Sequence, residues 1–187
     1  MAGVTPALLP ELVVFDLDAC LWDPELCNLR DPDGSFKFDA DQNVAVAASG
    51  EEVHLLSHTA AAFTELATSL CWQGSRVGIA SCCHAPESAR WLLSVFRTSD
   101  GSRTLADVLT PSLIEIHHGS KREHFRGLQR ESGVPFERML FFDDQVGNCR
   151  EVADLGVVTQ RTPLGLTREA WEEGLRCFAA KAKSTNC

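Results

Sequence analysis

Three stretches of the chain are apolar without alternation: ELVVFDL over residues 11–17, RVGIA over 76–80 and RMLFF over 138–142. Short continuous runs of this kind, rich in β-branched and aromatic residues, mark strands buried on both faces. A weaker run over 157–160 predicts a further strand. Apolar residues at helical spacing predict helices over 59–72, 86–96, 146–155 and 167–182, and a more polar helix over 121–131. The breakers agree with these boundaries. Gly74, Gly133 and Gly156 follow three of the helices, and Pro86 stands in the first turn of another. Two short apolar runs, 106–109 and 113–116, predict one or two more strands.

Residues 23–50 break the pattern. They hold Pro24, Pro32, Gly34 and several aspartates, with brief alternating stretches at 36–38 and 44–46. This segment predicts a loop carrying a β-hairpin flap, with a further strand over 53–56. Elsewhere strands alternate with helices. The expected fold class is therefore α/β: a Rossmann-like, mostly parallel central sheet with helices on both faces. The chain of 187 residues suits one domain, with about 23–56 as a flap too short to form a helical cap. In such sheets ligands sit outside the carboxyl ends of the strands.

Composition narrows the function classes. A net charge of -9 opposes general binding to nucleic acid, which needs a basic surface. No apolar run is long enough to span a bilayer. Residues 1–10 lack the basic and apolar regions of a secretory signal, so a cytoplasmic protein is expected, and a monomer. The eight cysteines are scattered, with no C-x-x-C pair or histidine cluster for zinc. Free thiols in a reducing compartment are expected.

The chemistry gathers at the predicted strand ends. Asp16 and Asp18 close the first strand, and residues two apart in extended chain point the same way. The same pair would serve as a helix cap and a solvated acid. Asp143 and Asp144 close the RMLFF strand, with Asn148 beyond. Neighbouring carboxylates repel unless a cation is near, so two such pairs suggest a hard oxygen site for Mg²⁺. Ser81 and Cys82 follow RVGIA, where a hydroxyl and backbone N–H groups can hold phosphate oxygens; Ser81 would equally cap a helix. Lys121 opens a helix, a poor place for a cation in the helix dipole. It is either an exposed lysine or one with a phosphate and a carboxylate for partners.

The ordered set of acid pair, serine, lysine and acid pair resembles the haloacid dehalogenase (HAD) superfamily, and within it the magnesium-dependent phosphatases. VVFDLDACLW, IAS, GSKREHF and GVPFERMLFFDD carry the likeness, which runs from about Leu12 to Phe178. It implies a phosphoric monoester hydrolase with Asp16 as nucleophile, forming an aspartyl-phosphate. Asp18 would be the acid and base, its carbonyl binding the metal. Ser81, Cys82 and Lys121 would meet the phosphoryl group, and Lys121 would also orient Asp16. Asp144 would be a direct Mg²⁺ ligand, with Asp143 a second or outer one. Asn148 falls where relatives often place another acid. The chain departs from the family at Cys20, where a threonine is usual, and at Cys82, often arginine or asparagine. Cys82 and Cys83 also raise the idea of an oxidisable thiol beside the site. The implied substrate is a phosphorylated small molecule, such as a sugar phosphate, or a phosphoprotein, phosphotyrosine included.

Three other readings compete. A dehalogenase needs no second acid placed like Asp18. A phosphorylatable receiver domain has its lysine last, whereas Lys121 precedes Asp143. An inactive, phosphate-binding HAD-like module has only Cys20 and Cys82 in its favour.

Overall fold

The computed structural model describes residues 8–185. Most of the segment read for a secretory signal, and Cys187, lie outside them. Five parallel strands form the main sheet: β1 (Leu12–Phe15), β6 (Arg76–Ser81), β7 (Ile114–Ile116), β8 (Met139–Asp143) and β9 (Val158–Arg161), in the order β7-β6-β1-β8-β9. The continuous apolar runs fall at its centre because both faces are covered. Val13, Phe15, Ile79, Leu140 and Phe142 face one core with Phe63, Trp171 and Phe178. Leu12, Val14, Phe141 and Met139 face the other, with Phe125, Leu128 and Val152. Alternate residues of one strand thus enter opposite layers. Phe142 stacks on Phe15 at 5.3 Å and on Trp171 at 5.4 Å between ring centroids.

The helices follow the expected spacing. They are α1 (Thr59–Thr68), α2 (Pro86–Val95), α4 (Lys121–Ser132), α5 (Val146–Ala153) and α6 (Arg168–Thr185). One local expectation is corrected, and the choice between the two short apolar runs is settled. The first helix ends at Thr68, and residues 70–72 tighten into a 3₁₀ turn. The run at 106–109 is no strand but the greater part of a short helix, α3 (Leu105–Val108). A reciprocal capping box starts it: Thr104 accepts from the Asp107 N–H, and the Asp107 carboxylate accepts from the Thr104 N–H. The cap outweighed the apolar signal. The second short run, 113–116, does contain a strand, β7.

The predicted hairpin is present and is larger than expected. β3 (Phe36–Asp39) and β4 (Val44–Ala47) pair antiparallel, and β5 (Glu52–Leu55) and β2 (Trp22–Asp23) extend them to a four-stranded sheet, β2-β5-β4-β3. It is seated firmly on α2 and the turn after it. Phe36 stacks on Trp91 at 5.5 Å, Phe38 meets Phe96 edge-on at 6.1 Å, and the Ser88 hydroxyl donates to the Pro32 carbonyl at 2.6 Å. No helix among the described residues is long and apolar enough to cross a membrane.

The topology positions the site. The chain runs outward from β1 through β6 to β7, then returns to place β8 on the other flank of β1. Phe15 stands opposite Phe142 and Ile79 in register. The carboxyl ends of β6, β1 and β8 therefore lie side by side at the point where strand order reverses.

Candidate active site

Asp16 is the residue after β1, and its N–H donates to the Phe142 carbonyl at 2.9 Å. That bond brings it beside Asp143, the last residue of β8. Both carboxylates are buried, and Asp143 is fully so. Lys121 comes to them from the first turn of α4, and only 2% of it is exposed. Its Nζ donates to Asp16 Oδ1, to the Ala80 carbonyl at 2.5 Å, and lies 3.3 Å from Asp143 Oδ2. The reading of an exposed lysine is thereby excluded. Burial pulls the Lys121 pKa down, but the charges of Asp16 and Asp143 outweigh it and hold the ammonium above its ordinary range.

One ammonium is shared by Asp16 and Asp143, with Asp144 close beside them. Ligand oxygens of Asp16, Asp143 and Asp144 all lie within 4.8 Å of one another. Asp144 Oδ1 is buried with no hydrogen-bond partner. Burial, and then the charge of Asp16, raise the pKa of Asp144 and push that of Asp143 up to about 7. An unpartnered carboxylate oxygen facing two further acids is the donor set a hard divalent cation takes. The site residues fit Mg²⁺ on this ground.

The two acids at the end of β8 differ in their engagement. Asp143 accepts from the Gln145 N–H at 2.7 Å and from Asn148 Nδ2 at 3.1 and 3.0 Å. It supports the turn into α5 without capping that helix, whose N-cap is Gln145. Asn148 stands by Asp143 as a donor. Asp144 keeps its Oδ1 free of such bonds.

Asp18 turns away from this cluster. Its Oδ1 accepts from Trp22 Nε1 at 2.8 Å and from the Leu26 N–H at 3.1 Å. Burial is the largest influence and raises its pKa; the two donors oppose it, and the Asp16 charge adds to it. Ser81 ends β6, with its hydroxyl accepting from the Cys83 N–H at 3.2 Å, so it does not cap α2. Asp16, Asp18, Ser81, Cys82 and Lys121 line one cavity of about 200 Å³, with Glu25 and His84 at its wall.

The departures at cysteine take definite places. Cys20 is fully buried, and its thiol donates to the Phe142 carbonyl at 3.6 Å while the Thr162 hydroxyl donates to it at 3.5 Å. A thiol here still ties the loop after Asp16 to β8. The Cys82 thiol donates to the Gly119 carbonyl at 3.1 Å and joins the β6 end to the loop before Lys121. Burial raises the Cys82 pKa and pushes that of Cys83 to about 12. Both are thiols at neutral pH, without the thiolate character of a redox sensor.

Sequence reasoning missed the hold of Trp22 on Asp18, and the wall residues Glu25, His84 and Gln145. The four-residue step from Asp18 to Trp22 was visible. Nothing in it showed that the chain doubles back there through Ala19, a non-glycine residue at φ 57°. His84 meets His118 edge-on at 4.5 Å, a contact between separate loops that no spacing could show.

A family model described as acid phosphatase matches residues 8–181. The chain belongs to the acid phosphatase family. It is 33% identical over 173 residues to human magnesium-dependent phosphatase 1, covering 92% of this chain and 89% of that one. It is 32% identical over 158 residues to a HAD-like hydrolase superfamily protein of Schizosaccharomyces pombe, covering 79% and 83% of the two chains. A solved HAD-superfamily hydrolase from Ehrlichia chaffeensis shares the fold, with a TM-score of 0.57 over 90% of this chain and 96% of that one at 12% identity. The likeness to the HAD superfamily read from the motifs thus extends over nearly the whole chain.

Proposed function

We propose that this acid phosphatase family member is a Mg²⁺-dependent hydrolase of phosphate monoesters that works through an aspartyl-phosphate on Asp16. The observation that carries the reading is the meeting of Asp16, Asp143 and Asp144, the first two paired with the buried Lys121. Asp16, Asp144 and the Asp18 carbonyl, with Asp143 beside them, would hold Mg²⁺. When bound, the ion supplies positive charge against the phosphoryl oxygens and lets an anionic nucleophile approach.

In the first half-reaction a carboxylate oxygen of Asp16 bonds to phosphorus as the ester O–P bond breaks. Asp18 gives its proton to the leaving oxygen. In the second, Asp18 takes a proton from water as that oxygen bonds to phosphorus. The Asp16 O–P bond then breaks and inorganic phosphate leaves. Lys121 holds Asp16 in place and offsets charge on the phosphoryl group, while the Ser81 hydroxyl and the backbone around Cys82 receive its oxygens. Acid–base help from Asp18 is worth about 10²–10⁴-fold.

The relative named a magnesium-dependent phosphatase supports the metal assignment. The substrate class follows from the small, polar-walled cavity: a phosphorylated small molecule such as a sugar phosphate, or a phosphorylated side chain such as phosphotyrosine presented at the mouth. The test is phosphate release from aryl phosphate, sugar phosphates and phosphotyrosine peptide, with Mg²⁺ and with EDTA. Activity is expected with Mg²⁺ only, and none in Asp16→Asn. Turnover by Asp16→Asn at the wild-type rate would sink the nucleophile. A folded wild type that binds phosphate and Mg²⁺ but turns over none of the esters would indicate an inactive binding module instead.

A further inference from the structure

We infer that Trp22 is a positioning residue for proton transfer: its indole N–H fixes the Asp18 carboxyl so that Oδ2, not Oδ1, carries the proton to the leaving oxygen. The inference rests on the proposed role of Asp18 as the acid. Indole nitrogen is a donor only, so it can hold a bare oxygen lone pair and nothing else. The Trp22 Nε1 donor, at 2.8 Å, and the Leu26 N–H, at 3.1 Å, both fall on Oδ1. An oxygen receiving two donors has no room for a proton of its own. The transferable proton is thereby assigned to Oδ2; the Asp18 carboxyl lines the cavity, where the Cys83 thiol is its other hydrogen-bonding neighbour.

The indole is itself held. Trp22 is fully buried, and its ring packs on Phe96 at 6.3 Å. Its carbonyl accepts from the Ala19 N–H at 3.0 Å, closing the loop that carries Asp18. Its backbone pairs with Leu55 as strand β2 of the small sheet. The second donor, Leu26, comes from the same inserted segment. The orientation of Asp18 is therefore tied to the seating of the inserted segment and its four-stranded sheet.

The test compares two esters with the full chain and Mg²⁺. 4-Nitrophenyl phosphate expels a stable phenolate and needs little protonation; glycerol phosphate expels an alkoxide and needs an acid. Trp22→Phe keeps the ring and loses the N–H. It is expected to lower kcat/KM for glycerol phosphate, which reports the first half-reaction alone, about tenfold, with kcat/KM for the aryl ester nearly unchanged. Equal loss of kcat/KM on both esters, or loss on neither, would overturn the inference. Phe96→Leu loosens the ring packing and keeps the N–H; it should lower Tm and leave the ratio of the two rates alone. A shift of that ratio like the one in Trp22→Phe would overturn the inference in favour of packing. Asp18→Ala separates the two levels of the argument. If it is fully active on glycerol phosphate, the acid assignment fails and the inference with it. If it is impaired while Trp22→Phe is not, the inference alone fails. A readout independent of catalysis is the Trp22 indole N–H resonance of the ¹⁵N-labelled wild type. It should be protected from solvent exchange and should shift in Asp18→Ala; an unprotected resonance that does not move would overturn the inference, even if Trp22→Phe did not fold.

Discussion

Lys121 is the single residue on which the charge balance of the site turns. Its partners lie at three strands, Asp16 just after β1, Ala80 on β6 and Asp143 on β8, and Asp16 is 105 positions away in sequence. Replacing it with methionine leaves Asp16 and Asp143 facing each other with no cation between them. Breaking a buried pair in this way costs about 3–5 kcal/mol. Urea unfolding of Lys121→Met without metal should show a loss of that order, and steady-state assays with Mg²⁺ a drop in kcat of about 10²–10³-fold. His124 offers a separate test, by pH. It is fully buried, one turn along α4, with Nε2 donating to the His117 carbonyl at 3.1 Å and Nδ1 without a partner. Burial, followed by the charges of His117 and Lys121, lowers its pKa from 6.5 to about 4, while Glu115 opposes the shift. A depressed folded pKa contributes stability that is full above 6.5 and is lost as pH falls through 4. Between those limits His124 should account for a loss of up to about 3 kcal/mol. The gap in urea midpoint between wild type and His124→Phe should therefore change between pH 7 and pH 4, in favour of the variant at the acid end. A gap independent of pH would contradict the assignment.

At the scale of elements, α4 shows how local chemistry serves a distant site. Ser120 accepts from the Glu123 N–H and the Glu123 carboxylate accepts from the Ser120 N–H, a capping box that fixes where the helix begins. Gly133, at φ 69°, ends it in the left-handed conformation glycine favours. Lys121 is the first residue of that helix, so the cap sets the depth to which its side chain enters the sheet. Ser120→Ala should cost about 1 kcal/mol of stability in thermal unfolding. It should also lower kcat more than it raises KM, because the group displaced acts on the nucleophile. The short α3 and the four-stranded sheet carry the opposite lesson. A four-residue apolar stretch has no period long enough to choose between helix and strand, so a cap at Thr104 decided the first. β2 has two residues and pairs with β5 across a long excursion of the chain, so no local signal could have shown it.

For the whole molecule, an overall excess of negative charge goes together with a buried cluster of acids at the site. The chain carries a net charge of -9, and at the carboxyl ends of the inner strands three clustered carboxylates meet one buried ammonium, that of Lys121, which pairs with Asp16 and Asp143. Metal binding should therefore act on stability as well as on activity. At Mg²⁺ a hundredfold above its Kd the native state gains about 2.7 kcal/mol. For a domain of this size that is a rise in Tm of about 5–10 °C. Differential scanning with Mg²⁺ against EDTA should show it, and Asp144→Asn should abolish most of the shift while keeping the EDTA baseline at or above wild type. A variant that still gains the full shift would remove Asp144 from the metal site. The same charge balance makes unassisted binding of a phosphate ester unfavourable, so substrate affinity should fall together with the metal.

The sequence by itself determined the buried parallel strands, most of the helices and the residue types at the strand ends, because continuous and periodic burial are written locally in side-chain order. It also placed every acid, the serine and the lysine at an element's end, where chemistry can reach solvent. Only the tertiary structure decided that β8 lies against β1, so that Asp16 and Asp143 become neighbours. It also decided that Lys121 is buried between them, that Trp22 holds Asp18, and that the flap is a sheet packed on α2. These are contacts between stretches brought together by strand order and by a chain reversal. Their energy comes from packing and charge summed over separate segments, which no local window of residues contains.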